Sequence, residues 1–395
     1  MNFDLIAFLV FIVIISIFLI FKRKNLVVQK LIFPVFYMLM YRTSLGLKLM
    51  DKVSSKYRGL VRFFGYCFIG IGFAGMIYVS FAILLSMIKF FIAPKVTEVG
   101  MSLVLPGTNI PGIGYLSFFH FLIAIFFLAI VHEFAHGVMM RAYDLEVKSS
   151  GFAFFSIFLP ILPAAFVEPN EKKMAKREDY VQYSILAAGP VANILVSFVF
   201  AALLLWVVAP IEDRITDHVG FSFNATPNYP AAISGISSRI LIDNFNGEYV
   251  VNADKFLEKM RYCSKPNDTI VLGSGNKTFN VVAAEHPQDA SKGFIGVEKI
   301  ENEVRVKPGY EKAGKVLYWF KWLFWWLYIL NISIGFVNLL PIYITDGGKM
   351  LLIAFQSFCS DKKKVLKFWH YINLLFVLLV VIGTTATYLK QFGLF

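Results

Sequence analysis

The residues Ile130-Val131-His132-Glu133-Phe134-Ala135-His136-Gly137 close an apolar run that begins near Tyr115. A helix climbs about 1.5 Å and turns about 100° per residue, so His132 and His136 fall on one face about 6 Å apart along the axis, near enough to share one metal ion. Glu133 then stands beside that ion. Imidazole nitrogen is a good zinc ligand, and a neighbouring carboxylate can accept a proton from a water whose pKa the ion has lowered to about 7. The chemistry this spacing predicts is metal-assisted hydrolysis of a peptide bond. The competing reading is three ordinary polar residues on a helix, and the surroundings argue against it. An ionisable group in a lipid-spanning segment costs on the order of 3 kcal/mol on insertion scales, so three in one apolar helix require a compensating partner. A bound zinc ion is the simplest one.

The chain that carries this motif is 57% hydrophobic and 16% charged, with a mean hydropathy of +0.65 over 395 residues. Soluble domains average about 25% charged residues, so these values predict a multi-pass integral membrane protein with one soluble insertion. The net charge of +12 lies largely in short segments flanking apolar runs, the pattern of topology signals rather than of a nucleic-acid-binding face. Cys67, Cys263 and Cys359 have neither metal-binding spacing nor an obvious pairing, so no disulfide framework is expected. The N-terminal stretch lacks a basic leader region and a small-residue cleavage site, so Leu5 to Phe21 reads as a retained anchor.

Six apolar runs are predicted to span the bilayer as helices: Leu5 to Phe21, Phe63 to Ile88, Tyr115 to Met140, Tyr180 to Val208, Leu317 to Leu340, and Phe368 to about Leu389. Leu31 to Tyr41 is too short to span and contains Pro34, which points to an interfacial or bundle-packed piece. Gly151 to Val167, broken by Pro160 and Pro163, reads as a re-entrant irregular segment that must be covered by protein or line a cavity. Composition changes after Pro210, and Ile211 to about Gly309 is expected to be a small α+β domain inserted between the fourth and fifth helices. The expected organisation is therefore 1–62 as anchor and basic segment, 63–210 as the first half of the membrane core, 211–309 as the insertion, and 310–395 as the second half. Segments 22–62, 141–179 and 349–367 hold about ten, six and five Lys or Arg, against about two in 89–114. The positive-inside rule then puts the insertion outside and turns the zinc motif toward the cytoplasm, and the expected location is the cell membrane.

Two histidines do not complete a catalytic zinc site, which takes three protein ligands and leaves one position open. Asp346 is the candidate third ligand. It follows the fifth span, faces the same predicted side as His136, and precedes Gly347 and Gly348, which allow close backbone approach. On its own it also reads as a polar helix end followed by a glycine turn.

With these parts in place the sequence resembles the site-2 protease family of intramembrane zinc metalloproteases. The matching elements are His132-Glu133-x-x-His136-Gly137, then Gly189-Pro190-x-x-Asn193, then Asn338-x-x-Pro341 followed by Asp346-Gly347. The resemblance covers about Tyr115 to Met350. It implies that His132, His136 and Asp346 hold one zinc ion, that Glu133 is the general base and acid, and that Asn193 binds the substrate backbone or the developing oxyanion. The implied partners are the lipid bilayer and membrane-protein substrates with a transmembrane helix. Read without the resemblance, Gly189-Pro190-x-x-Asn193 is a small-residue packing site with one satisfied amide, and Asn338 is a helix-to-helix hydrogen bond.

The insertion resembles a PDZ domain of the kind carried by proteases. Ile240 to Val250 matches a strand, asparagine-glycine turn and strand, Ala253 to Tyr262 a helix, and Thr269 to Leu272 with Thr278 to Val282 a closing hairpin. Ser234-Gly235-Ile236-Ser237-Ser238 lacks the usual Gly-Asp turn. The insertion therefore reads either as a peptide-binding gate or as an inert domain. Two other functions stay open: a catalytically silent scaffold recruiting partners through the insertion, and a membrane-anchored zinc protease whose third ligand is a glutamate of a soluble domain. His120, His218, His286 and His370 have no partner at ligand spacing.

Overall fold

The computed structural model describes residues 3–32, 36–92, 101–102, 104–110, 113–157, 159–236, 239–287 and 289–391. The first half of the chain runs α1 (Phe3–Phe21), β1 (Leu26–Ile32), β2 (Phe36–Thr43), α2 (Leu47–Lys56), α3 (Arg58–Ile92), β3 (Thr108–Ile110), β4 (Gly114–Leu116), α4 (Phe118–Ala142), β5 (Val147–Ile157), β6 (Leu159–Pro169), α5 (Glu171–Met174) and α6 (Asp179–Leu203). A π-helical turn, Leu204–Val208, leads into α7 (Ala209–Ile215), β7 (Thr216–Ala225), α8 (Pro230–Ile233), β8 (Asn244–Phe245), β9 (Glu248–Tyr249) and α9 (Ala253–Cys263). The remainder is β10 (Thr269–Ser274), β11 (Lys277–Val282), β12 (Ala284–His286), β13 (Asp289–Phe294), β14 (Val297–Val306), α10 (Glu311–Leu339), α11 (Asp346–Phe358) and α12 (Lys362–Gln391). Among the described residues six helices are long and apolar enough to cross a membrane, and they fall on the six runs read from the sequence. The chain divides into two compact units, Met1–Leu204 with Lys321–Phe395, and Leu205–Phe320.

In the first unit α4 packs on α6, α6 on α3, and α11 on α6. Small residues let these backbones approach closely, which is how helices associate where lipid removes the hydrophobic drive. A β-carbon on Gly72 of α3 would stand only 3.1 Å from Ala187 of α6. Lipid-facing positions stay apolar, as at Ile77 and Phe81, both well exposed.

Both ends of α4 are held by other elements. At its start, Phe118 N donates to Asp4 of α1 at 2.9 Å and the Ser117 hydroxyl accepts from His120 N at 3.4 Å, satisfying amides a helix start leaves unpaired. At its end, Arg58 and Arg62 Nε donate to the Ala142 carbonyl at 3.1 and 2.9 Å, and Arg177 donates to the Tyr143 carbonyl. Cations there also oppose the negative end of the helix dipole. Basic residues that read only as topology signals therefore fix the helix that carries the histidines.

One sequence expectation is corrected in this unit, and a second falls partly outside the described residues. Of the piece expected at the interface, Leu31 to Tyr41, residues 33–35 lie outside the described residues and the flanks belong to β1 and β2. Gly151 to Val167 is not irregular: it forms most of the β5–β6 hairpin in an antiparallel sheet of order β1-β2-β5-β6. In apolar surroundings unpaired backbone is expensive, and a hairpin pairs it. Proline cannot donate to a ladder and so keeps to edges, and Pro160 and Pro163 lie in the edge strand β6.

The second unit has its own core of Phe221, Phe223, Ile242, Phe245, Phe256 and Leu272 with smaller apolar residues around them. The expected helix appears as α9, capped by the Asn252 side chain accepting from Lys255 N at 3.0 Å. The expected strand–turn–strand is β8, a turn with Asn246 and Gly247 both at positive φ, and β9. The expected hairpin is β10–β11. A long antiparallel pair, β7 with β14, joins the two ends of the unit; β14, VEKIENEVRV, is too polar to announce itself by hydrophobic alternation.

Candidate metal centre

His132 and His136 lie one turn apart on α4, and Asp346 is the first residue of α11. His132 Nε2 and His136 Nε2 are 3.1 Å apart, and each is 3.3 Å from Asp346 Oδ2. These three atoms mark a nearly equilateral triangle. Ligands about 2.0–2.1 Å from a tetrahedral ion are separated by about 3.3 Å, so the triangle fits three corners of a zinc tetrahedron and leaves the fourth free. Two imidazoles and one carboxylate are also the donor set zinc accepts, and none of the three residues is more than 9% exposed.

Each ligand is positioned by a local feature. Thr345 caps α11 by accepting from Gly348 N at 3.2 Å, and its hydroxyl also meets the Leu340 carbonyl at 2.5 Å. Asp346 thereby enters the helix at a fixed place. The turn before it is so tight that a β-carbon on Gly347 or Gly348 would overlap the carbonyl oxygens of Leu339 or Ile342. On α4, His136 Nδ1 lies 2.6 Å from the Ile185 carbonyl of α6. A carbonyl can only accept, so Nδ1 carries the proton and Nε2 presents its lone pair to the triangle.

Helix α6 closes over the two imidazoles at Gly189. A β-carbon there would lie within 3 Å of Nε2 of both histidines, in the space a metal and its open position need. Gly189 belongs to the Gly189-Pro190-x-x-Asn193 element, which without the resemblance reads as a packing site; its proximity to the ligands is a tertiary fact. Four residues on, Asn193 is fully buried with its amide Nδ2 3.3 Å from His132 Nδ1. Asn193 Oδ1 has no hydrogen-bond partner among the described residues.

Glu133 is fixed from the opposite side. Its Oε2 accepts from Val167 N of β6 at 2.8 Å. The residue following the first ligand is thus tied to the edge strand of the sheet. Sequence could not have found this contact, because a backbone amide leaves no signature in residue type. Asn338, which without the resemblance reads as a helix-to-helix hydrogen bond, donates from Nδ2 to Ile334 O, one turn back in α10, at 3.1 Å. The reason is geometric, since an interior Asn on a helix finds its own i−4 carbonyl nearest.

An apolar helical bundle that buries a carboxylate against two imidazoles marks a membrane protein whose core carries a group able to hold a metal ion. Residues 120–380 match Peptidase family M50. The chain belongs to that family, the site-2 protease family, and membership supports a metalloprotease. Over 249 residues the chain is 26% identical to an uncharacterized protein, MJ0971, of Methanocaldococcus jannaschii; the match takes in 61% of this chain and 58% of that one. It thus spans less than two thirds of the relative's length.

Proposed function

We propose that this protein is an intramembrane zinc metalloprotease that hydrolyses peptide bonds in or near the transmembrane segments of membrane-protein substrates. The observation that carries the proposal is the meeting of His132, His136 and Asp346 at 3.1–3.3 Å, although Asp346 is more than two hundred residues downstream. Zinc held by these three would polarise a substrate carbonyl and make water acidic enough to be deprotonated near neutral pH.

The protein's own groups supply the rest. Glu133 takes the proton from the attacking water and returns it to the leaving amine. Its Oε2 is engaged by Val167 N, so Oε1 is the oxygen left for this transfer. Asn193 Oδ1 is buried without a partner among the described residues, and with the amide turned end for end the Nδ2 donor at that position meets a substrate carbonyl as charge develops on it. A substrate helix must unwind to expose that carbonyl. The edge strand β6 can hold the unwound segment by strand addition, and the hydrogen bond from Val167 to Glu133 makes that strand contiguous with the reacting groups. If replacing Pro160 and Pro163 together with shortening β6 leaves cleavage unchanged, this role for β6 is wrong. The basic segments argue for a cell-membrane protein whose reacting groups face the cytoplasmic side.

The second unit offers a groove of about 480 Å³ between α9 and the β13–β14 segment, with Phe256, Leu257 and Met260 on its apolar side and Arg261, Asp289 and Lys292 among its polar lining. Its apolar floor suits an extended peptide, which supports a PDZ-like role in selecting substrates.

The test is metal analysis of the purified protein with a cleavage assay on membrane-protein substrates, comparing the parent with Glu133→Gln. The variant is expected to keep one zinc per chain and lose cleavage by roughly 10²-fold to 10⁴-fold. A silent scaffold would leave the variant indistinguishable from the parent.

A further inference from the structure

A histidine that binds metal through Nε2 must carry its proton on Nδ1, and that N–H needs an acceptor. For His136 the acceptor is the Ile185 carbonyl, 2.6 Å away. For His132 the group facing Nδ1 is the Asn193 side-chain amide at 3.3 Å, with nitrogen toward nitrogen. In that orientation Asn193 Nδ2 donates, Nδ1 accepts, and the imidazole proton is forced onto Nε2, the atom the metal would use. The same orientation leaves Asn193 Oδ1 buried and without a partner. A half-turn of the amide about its last bond exchanges oxygen and nitrogen without moving any other atom.

Resting on the zinc reading given above, we infer that Asn193 is a positioning residue for His132: its amide oxygen accepts from His132 Nδ1 in the metal-loaded protein and sets the tautomer that ligates. The half-turn brings the amide oxygen to Nδ1, which leaves Nε2 free of the ring proton. The turn also leaves the amide nitrogen, a donor, at the end with no protein partner. One residue can thus steady a ligand with its oxygen and offer its nitrogen to a substrate carbonyl.

The inference separates variants by whether they retain an acceptor. Asn193→Asp keeps one and loses the donor, while Asn193→Leu and Asn193→Ala lose both. The measurement is zinc affinity of the full-length purified protein by competition with a chromogenic chelator, with thermal unfolding of the zinc-free proteins as a check on folding. Asn193→Leu and Asn193→Ala are expected to bind zinc roughly 10-fold to 100-fold more weakly than the parent. Asn193→Asp is expected to bind within a few-fold of the parent yet cleave more slowly. If the Leu variant does not fold, the Ala and Asp variants decide. Parental affinity in the Ala variant, or a loss in the Asp variant as large as that in the Ala variant, overturns the inference. A parent that binds no zinc removes the underlying reading as well, and is a different result from a parent that binds zinc and variants that do not discriminate.

Discussion

The candidate metal centre and the groove of the second unit tolerate change differently. At the centre every nearby position is committed: Gly189 must lack a side chain, Gly347 must admit the Leu339 carbonyl, and the His136 ring is tied to Ile185. The groove is lined by apolar side chains such as Leu257 and Met260 on one face of α9, with Leu257 itself 46% exposed. Coordination demands sub-ångström placement, whereas apolar contact demands only shape and area. The comparison predicts that substitutions of equal size have effects orders of magnitude apart in the two places.

The largest effect is expected from Gly189→Ala. One methyl group there occupies the space beside both ligand nitrogens, so zinc content and cleavage should both fall to background, measured by metal analysis and substrate turnover. A folded Gly189→Ala protein with full zinc would break the comparison. Next comes Gly347→Ala, which should displace Asp346 and weaken zinc binding by at least roughly tenfold, in the range seen when groups supporting metal ligands are lost. Smaller still is Asn252→Ala in the second unit. Loss of the α9 cap should lower that unit's stability by about 1 kcal/mol, read by thermal unfolding, with zinc content unchanged. The smallest effect is expected from Leu257→Asp in the groove: KM for protein substrates should rise a few-fold while kcat and zinc content stay at parental values. A collapse of kcat in that variant would mean that the groove takes part in the chemistry rather than in selection.

What the sequence made legible follows from the same contrast. His132 and His136 could be paired from helical spacing alone, and Asp346 from its place after a span and before two glycines. The six membrane helices were readable because length and apolarity are written in residue type, and α9 and β10–β11 because their periodicity and turn residues are. The sheet β1-β2-β5-β6 was not readable. Its strand β6 is interrupted by Pro160 and Pro163, so Gly151 to Val167 looked irregular until the partner strand supplied the pairing. The support of the site was equally hidden. Val167 N on Glu133, the Ile185 carbonyl on His136 and the Arg58 and Arg62 guanidinium groups on the Ala142 carbonyl are contacts of backbone atoms, which any residue type would supply. The resemblance singled out Asn193, but its closeness to His132 is a matter of three-dimensional position.

The measurement that tests the central claim most directly is zinc X-ray absorption and stoichiometry on the purified parent and on Asp346→Ala. The account predicts one zinc per parent chain with two imidazole nitrogens and a carboxylate oxygen in its shell, and a variant that has lost most of its zinc. A variant that retains one zinc with an unchanged ligand shell would contradict it.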